Sequence, residues 1–444
     1  MSKLSTEQIE QNFSDIAPAM TKAEAKVEAN RCLYCYDAPC THACPTHIDV
    51  PSFIKKIASD NLTGSARVIF DANPIGGSCA RVCPVEALCE GACVEKTLVE
   101  KPIEIGRLQR YATDYAIEND KQLFEKGEAN GKSVGIVGSG PAGLSCATYL
   151  ARLGYDVTVY EKKSLAGGLD TYGMAEYKMT QADSLEEVKM IENLGVEFKL
   201  NTSIVGDKDS SSANSVQASS LRSQYDAIFI GIGLGSSNDL GIIGEEKAGV
   251  YEALDFIDKV KTRDWESVPI GNSVVVIGAG NTAIDAVTQA KRLGADKVVL
   301  VYRRTRNDIS AYDYEYELAK KDGVEFVWQS SPIEIVGDDS VSALRCRKTD
   351  GSDEEFEIAC DMVIKAIGQK KQTGFLEEMG IEFDENGRVI VNENRQTSDP
   401  KIFAGGDCVN GGAEAVDASQ AGKLAAIGIH KELFSEDAEF PGLS

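Results

Sequence analysis

Eight of the twelve cysteines fall in two runs near the amino terminus, Cys32-x2-Cys35-x4-Cys40-x3-Cys44 and Cys79-x3-Cys83-x5-Cys89-x3-Cys93. Thiolates spaced this closely converge on a soft metal centre, and Pro45 and Pro84, each directly after a cysteine, match the Cys-Pro ending of iron–sulfur ligand runs. Disulfides suit small secreted domains, whereas this chain has 444 residues and opens Met1-Ser2-Lys3-Leu4 with no apolar signal region. Structural zinc usually pairs two Cys-x2-Cys knuckles, and one such step, Cys32 to Cys35, occurs. The pattern therefore points to electron transfer. Cys146, Cys346, Cys360 and Cys408 stand in apolar or strand-like surroundings and read as core residues.

The length and an apolar content of 43% support several buried cores and roughly three domains. A net charge of −24 opposes a broad nucleic-acid interface. No apolar run approaches the roughly 20 residues of a membrane helix, so the expected location is cytoplasmic. With three histidines in all (His42, His47, His430), the reactive groups are expected to be cofactors rather than a histidine base.

Residues 1 to about 120 read as helices and loops: Val50 to Ile57 and Ile105 to Ala112 have helical apolar spacing, and Asn73-Pro74 and Gly76-Gly77 punctuate the second cysteine run. After the polar link Ala129-Asn130-Gly131-Lys132 the period switches to a short strand, Ser133 to Val137, followed by Gly138-Ser139-Gly140-Pro141-Ala142-Gly143, a helical pattern, and a strand ending in Glu161. Strand, glycine loop, helix, strand and acid form the order of a dinucleotide site. Gly138 permits the turn, Gly140 lets backbone amides approach a pyrophosphate, Gly143 allows close helix packing, and Glu161 accepts from ribose hydroxyls.

The order recurs at Ser273 to Ile277, Gly278-Ala279-Gly280-Asn281-Thr282-Ala283 and the strand Lys297 to Tyr302, which here ends in Arg303-Arg304. Cations at that position suit the 2′-phosphate of NADP. Asp226 to Gly233 reads as a buried strand leading out of the first nucleotide domain, and Asp361 to Gly368, ending Ala366-Ile367-Gly368, as one leading back, which makes the second domain an insertion. Near the end, Gly405-Gly406-Asp407 and Ala413-Glu414-Ala415 place an acid beside a helix N-terminus, suited to flavin ribityl hydroxyls and to charge on the flavin ring. The serine-rich stretch Ser210 to Ser220 reads as a surface loop without chemistry.

With these residues in hand, the chain resembles dihydropyrimidine dehydrogenase, specifically its electron-input half. The resemblance is carried by Arg31-Cys32-Leu33-x-Cys35-x-Asp37-Ala38-Pro39-Cys40, Cys44-Pro45-Thr46, Val82-Cys83-Pro84 and Pro102-Ile103-x-Ile105-Gly106-x-Leu108-Gln109. It implies two 4Fe-4S clusters, one held by Cys32, Cys35, Cys40 and Cys93, the other by Cys44, Cys83, Cys89 and the amide oxygen of Gln109. Spacing alone would invite four cysteines for each cluster; the resemblance removes Cys79. Val82, Lys162, Gly168, Leu169 and Lys178 join the expected FAD residues. The small subunit of glutamate synthase is the nearest rival, and a free-standing NAD(P)H:acceptor reductase a further one.

The expected fold class is α/β. An N-terminal α-helical iron–sulfur domain (1–125) precedes two Rossmann-like domains, the NAD(P) domain (246–365) being inserted in the FAD domain (126–245 and 366–444). The expected cofactors are FAD, two 4Fe-4S clusters and NADPH, with NADH as the alternative. The expected partner is an FMN-containing, pyrimidine-reducing subunit, because nothing in the chain resembles a pyrimidine pocket or its general acid.

Overall fold

The computed structural model describes residues 4–208 and 214–435, and its contacts divide the chain into two units. The smaller unit holds Met1–Ile16, Tyr172–Gln181 and Gly235–Lys370; the larger holds the rest. The serine-rich stretch is described from residue 214 onward, where Ser215–Gln217 is a strand and Ala218–Gln224 a helix; its residues 210–213 lie outside the described residues.

The larger unit begins with short helices. Thr21 and Glu24 form a capping box on Lys22–Ala29, and the Asp49 carboxylate accepts from Ser52 N at 3.1 Å to start Val50–Ala58. Val50, Phe53, Ile54 and Ile57 share one face of that second helix and are buried with Ile69, Leu108 and Ala112 from Leu62–Ala72 and Ile105–Glu118. Truncating Phe53 to alanine would cost about 3–5 kcal/mol at a site this enclosed. The core matters because the cysteine segments wrap around it.

The same unit carries a five-stranded parallel sheet in the order Ile402–Ala404, Ala227–Ile230, Ser133–Val137, Asp156–Tyr160, Glu197–Lys199. Its central strands are apolar on both faces, as parallel strands covered by helices must be. Helices Pro141–Arg152 and Ala415–Phe434 pack against each other so closely that a Cβ on Gly422 would lie 2.1 Å from Ala142 O.

The smaller unit repeats the plan. Its parallel sheet runs Glu325–Val327, Lys297–Val301, Ser273–Ile277, Met362–Lys365, Val250–Glu252, with helix Asn281–Arg292 following the central strand. An antiparallel sheet, Ser330–Val336, Ala343–Lys348 and Glu355–Ala359, is added after it. The chain enters and leaves through two paired segments, Gly235 N donating to Lys370 O and Lys370 N to Ser236 O, both at 2.8 Å.

Two pieces distant in sequence complete this unit. The first turns of the chain pack here rather than with the cysteine helices: Ile9 and Phe13 are buried beside Trp265, Glu10 accepts from Trp265 Nε1 at 2.8 Å, and Asn12 donates to Arg292 O at 2.8 Å. Tyr172–Gln181 is held by buried charge, Glu176 pairing with Lys261 at 3.5 Å and Lys178 with Asp285 at 2.7 Å.

Candidate functional site

The larger unit gathers the eight amino-terminal cysteines into two groups. Cys32, Cys35, Cys40 and Cys93 line one cavity, walled by Val50, Ile54 and Ile105. Cys32 follows the first capped helix, Cys40 lies in the turn Pro39–His42, and Cys93 precedes Val94–Val99 and accepts from Ile103 N at 3.5 Å. Burial pushes the Cys40 thiol up to about 12, with Cys93 and Cys32 as the next causes. Thiols gathered in an apolar cavity are a poor arrangement for bare thiolates, which would repel one another there, and a good one for a soft cationic cluster, which supplies the missing positive charge.

Cys44, Cys83 and Cys89 form the second group: the neighbouring Cys79, one helical turn earlier in Gly76–Val82, and then burial push the Cys83 thiol up, and burial raises that of Cys89, with Glu90 and Cys44 as the next causes. Gln109 is buried nearby on Ile105–Glu118, its Nε2 donating to Gly76 O at 2.7 Å, which fixes the amide. Among the described residues no three His, Cys, Asp or Glu side chains meet at the spacing of a single metal ion. A lone zinc would draw its sulfurs to about 2.3 Å from one point; the first group instead rings a cavity.

The second group borders the glycine loop Gly138 to Gly143. Cys79, with Cys44 and Cys83 packed against it, shares one apolar cluster with Ala142, Leu144 and Val416. In the loop itself Gly138 has φ 96°, and a Cβ there would lie 2.4 Å from Gly231 O. A Cβ on Gly143 would lie 2.0 Å from Gly138 O, so these two glycines are structural necessities. Gly140 is different. It caps Pro141–Arg152, and the nearest atom to its Cβ position is Gly168 Cα at 3.8 Å, which leaves a cradle open at a helix N-terminus.

Glu161 is buried and accepts from Ser139 N at 3.1 Å, Ser139 Oγ at 2.6 Å and Lys163 N at 2.8 Å, so it braces the loop while its carboxylate keeps lone pairs for a ribose. Gly168 sits against Gly140, followed by the exposed Leu169, and Lys162 is also exposed. Asp407 opens a short turn after Gly406, whose φ is 75°, and accepts from Ala413 N at 3.2 Å. Burial raises its pKa, which suits an acid awaiting hydroxyl donors. Glu414 and Ala415 start the long helix Ala415–Phe434, and Val82 adjoins Cys83. An open cradle, a braced acid and a half-buried aspartate fit FAD.

Lys178 belongs to the smaller unit, where its ammonium lies between Asp285 and Glu315 at 2.7 and 2.5 Å. Burial opposes its charge, and the two carboxylates outweigh that and hold it protonated. The lysine was singled out in the sequence, but neither carboxylate was.

In the smaller unit Gly278 has φ 129° and a Cβ there would lie 2.2 Å from Ala366 O, while Gly280 has only Ser310 Oγ at 3.4 Å. Ala279 O accepts from Ala311 N and Asn281 Oδ1 from Tyr312 N, both at 3.2 Å, so residues 310–312 fold over the loop beside the exposed Thr282. Arg303 and Arg304 are exposed, and among the described residues neither guanidinium enters an ion pair, whereas Arg306 is taken up by Asp313 at 2.6 Å. Asn238 holds Ile367 and Gly368, donating its N–H to Gly368 O at 2.9 Å.

Two such loops on parallel sheets, with thiols grouped in a helical part, define an NAD(P)H-dependent flavin oxidoreductase with an iron–sulfur domain. Residues 132–422 match the pyridine nucleotide-disulphide oxidoreductase pattern and residues 9–121 match dihydropyrimidine dehydrogenase domain II, 4Fe-4S cluster. The chain belongs to the pyridine nucleotide-disulphide oxidoreductase family, in the branch carrying that 4Fe-4S domain. It is 34% identical to the NAD-dependent dihydropyrimidine dehydrogenase subunit PreT of Escherichia coli (strain K12), over 96% of this chain and 98% of that one. It is also 34% identical to the small chain of the NADPH glutamate synthase of the same organism, over 94% and 93%. Thioredoxin reductase of T. acidophilum shares the fold, with a TM-score of 0.56 at 23% identity over 68% of this chain and 100% of that one.

Proposed function

We propose that the chain is the electron-input subunit of a dihydropyrimidine dehydrogenase, oxidising NAD(P)H and delivering electrons to an FMN-containing partner that reduces uracil or thymine. The observation that carries this reading is the order of groups within the larger unit. The glycine loop shares a core with Cys44, Cys79 and Cys83, and Cys44 also packs, with Cys89, against the second core that walls the cavity of Cys32, Cys35, Cys40 and Cys93. FAD held by the Gly138 to Gly143 loop, Glu161 and Asp407 would exchange a hydride for single electrons, and two 4Fe-4S clusters would carry those onward.

The chain's own residues bind, orient and insulate; none need act as an acid or base. Gly278 to Thr282 hold the dinucleotide, and Arg303 and Arg304, which are exposed, favour the 2′-phosphate of NADPH. The PreT relatives are named NAD-dependent and the glutamate synthase chains NADPH, so the ratio of KM values discriminates. Leu33 and Tyr36 are exposed apolar side chains beside the first thiol cavity, where a partner must approach to collect electrons.

The test is anaerobic purification of the full chain with its natural partner. Expected are one FAD and about eight irons with matching sulfide, and a copurifying FMN chain that reduces uracil. A partner that makes glutamate from glutamine would assign the chain to the glutamate synthase branch. Zinc without acid-labile sulfide would overturn the cluster reading.

A further inference from the structure

A cavity of about 370 Å³ lies in the larger unit, and none of the cysteines lines it. Three elements wall it: Leu62–Ala72 contributes Arg67, the link after Ile105–Glu118 contributes Gln122, Phe124 and Glu125, and the last turn of Pro141–Arg152 contributes Tyr149 and Arg152. The helix that ends at Arg152 begins at the glycine loop, and at a rise of about 1.5 Å per residue its two ends are about 16 Å apart. The cavity is therefore separate from the dinucleotide cradle.

Its walls gather two guanidiniums on one ring. Arg152 Cζ lies 4.0 Å and Arg67 Cζ 5.3 Å from the Phe124 ring centroid, and Lys423 Nζ lies 5.6 Å from that of Tyr149. Like charges held this closely repel unless anions meet them. Asp71 meets part of the charge, its Oδ1 accepting from Arg152 Nη2 at 2.6 Å, while Arg152 Nη1 is buried and no protein group accepts from it. Arg67 is exposed and, among the described residues, enters no ion pair or hydrogen bond. The dipole of a helix C-terminus accounts for a cation at Arg152 but not for a second one beside it on another helix. In a chain with 70 acidic and 46 basic residues, Arg67, Arg152 and Lys423 set against Asp71 and Glu125 reverse the sign locally.

We propose that this cavity binds a small phosphorylated polyol of the sugar-phosphate class, its phosphate met by Arg67 and Arg152 and its hydroxyls by Gln122 and Glu125. Guanidiniums match phosphate oxygens with paired, charge-assisted hydrogen bonds. The Gln122 Nε2 is committed to Phe124 O, which leaves its Oε1 to accept from a hydroxyl. The Glu125 carboxylate accepts from hydroxyls as well and repels a bare oxyanion, so the polyol part of the ligand contributes to selectivity. The volume stands at the small end of ligand sites, which suits a metabolite rather than a peptide or a nucleic-acid strand.

The experiment titrates the full, FAD-loaded chain in chloride buffer with ribose 5-phosphate, ribose and sulfate, read by calorimetry. Ribose 5-phosphate should fill one site per chain with a dissociation constant at or below about 1 mM, as two charge-assisted contacts imply, and ribose and sulfate should bind at least about tenfold more weakly. Arg67→Gln should cost at least about tenfold in affinity while flavin content and dye reduction by NADPH stay as in wild type. Arg152→Lys keeps a cation for Asp71 and should show the same loss, a second reading of the site from the opposite wall. Replacing Arg303 and Arg304 together by alanine should leave this binding unchanged; its loss there would move the phosphate to the second dinucleotide loop and overturn the proposal. Sulfate binding as tightly as the sugar phosphate would leave an adventitious ion only. That result, absence of saturable binding, or full affinity in Arg67→Gln would each overturn the proposal too.

Discussion

Replacing Gly140 with valine should remove FAD from a folded protein, whereas the same change at Gly143 should prevent folding. Gly140 has φ −69° and ψ 179°, a conformation open to any residue, and no protein atom lies within 3.8 Å of its Cβ position. The side chain would occupy only the space where a pyrophosphate meets the backbone. Two backbone N–H bonds to an anion are worth about 1.5–3 kcal/mol each, so about 3–6 kcal/mol is at stake, a hundredfold to ten-thousandfold in affinity. At Gly143 the Cβ would lie 2.0 Å from Gly138 O, a backbone clash that no side-chain motion relieves. The assay is flavin absorbance per protein after purification, together with the melting temperature with and without added FAD. Gly140→Val should have the wild-type apoprotein's melting temperature and no response to FAD. Stoichiometric flavin in Gly140→Val would refute the placement of the pyrophosphate at this loop.

Gln109→Ala should alter the spectrum of one cluster while FAD stays bound, as measured by paramagnetic resonance and flavin content; unchanged spectra would remove Gln109 from the ligand set. Replacing Arg303 and Arg304 together by alanine should raise the KM for NADPH at least about tenfold and that for NADH much less. Equal effects would make the arginines a solvated turn. Burial pushes Glu187 up to about 7 from 4.5, against hydrogen bonds from Ser78 and Gly77 and the charge of Arg81. The folded value exceeds the unfolded one, so the fold binds this proton more tightly, and stability falls as pH rises through that window by on the order of 3 kcal/mol. Thermal melts between those pH values should show the slope in wild type and lose it in Glu187→Gln.

The periodic and glycine-bearing parts of the fold were legible because their physics is local. A strand, a tight turn and a helix N-terminus must be adjacent in sequence to make a dinucleotide loop, and both loops fold on the residues that signalled them. The four cysteines of the first group come from segments 53 residues apart, Cys32 to Cys40 and Cys93, and only the resemblance paired them before the structure placed them around one cavity. What stayed hidden depends on distant partners. Nothing near Glu10 announces Trp265 and Arg263, and nothing near Lys178 announces Asp285 and Glu315, because these pairs form only after the chain has crossed into the smaller unit. The antiparallel sheet from Ser330 was missed for another reason: its strands alternate charged and apolar residues, as in Arg345-Cys346-Arg347, and resemble surface segments of many kinds.

The central claim, that this chain accepts electrons from a nicotinamide and passes them on without reducing the final substrate itself, is tested most directly by anaerobic turnover of the full chain with NADPH or NADH. An artificial dye should be reduced by the chain alone, and uracil and thymine should be left untouched until an FMN-bearing partner is added. Uracil reduction by the lone chain would contradict the account.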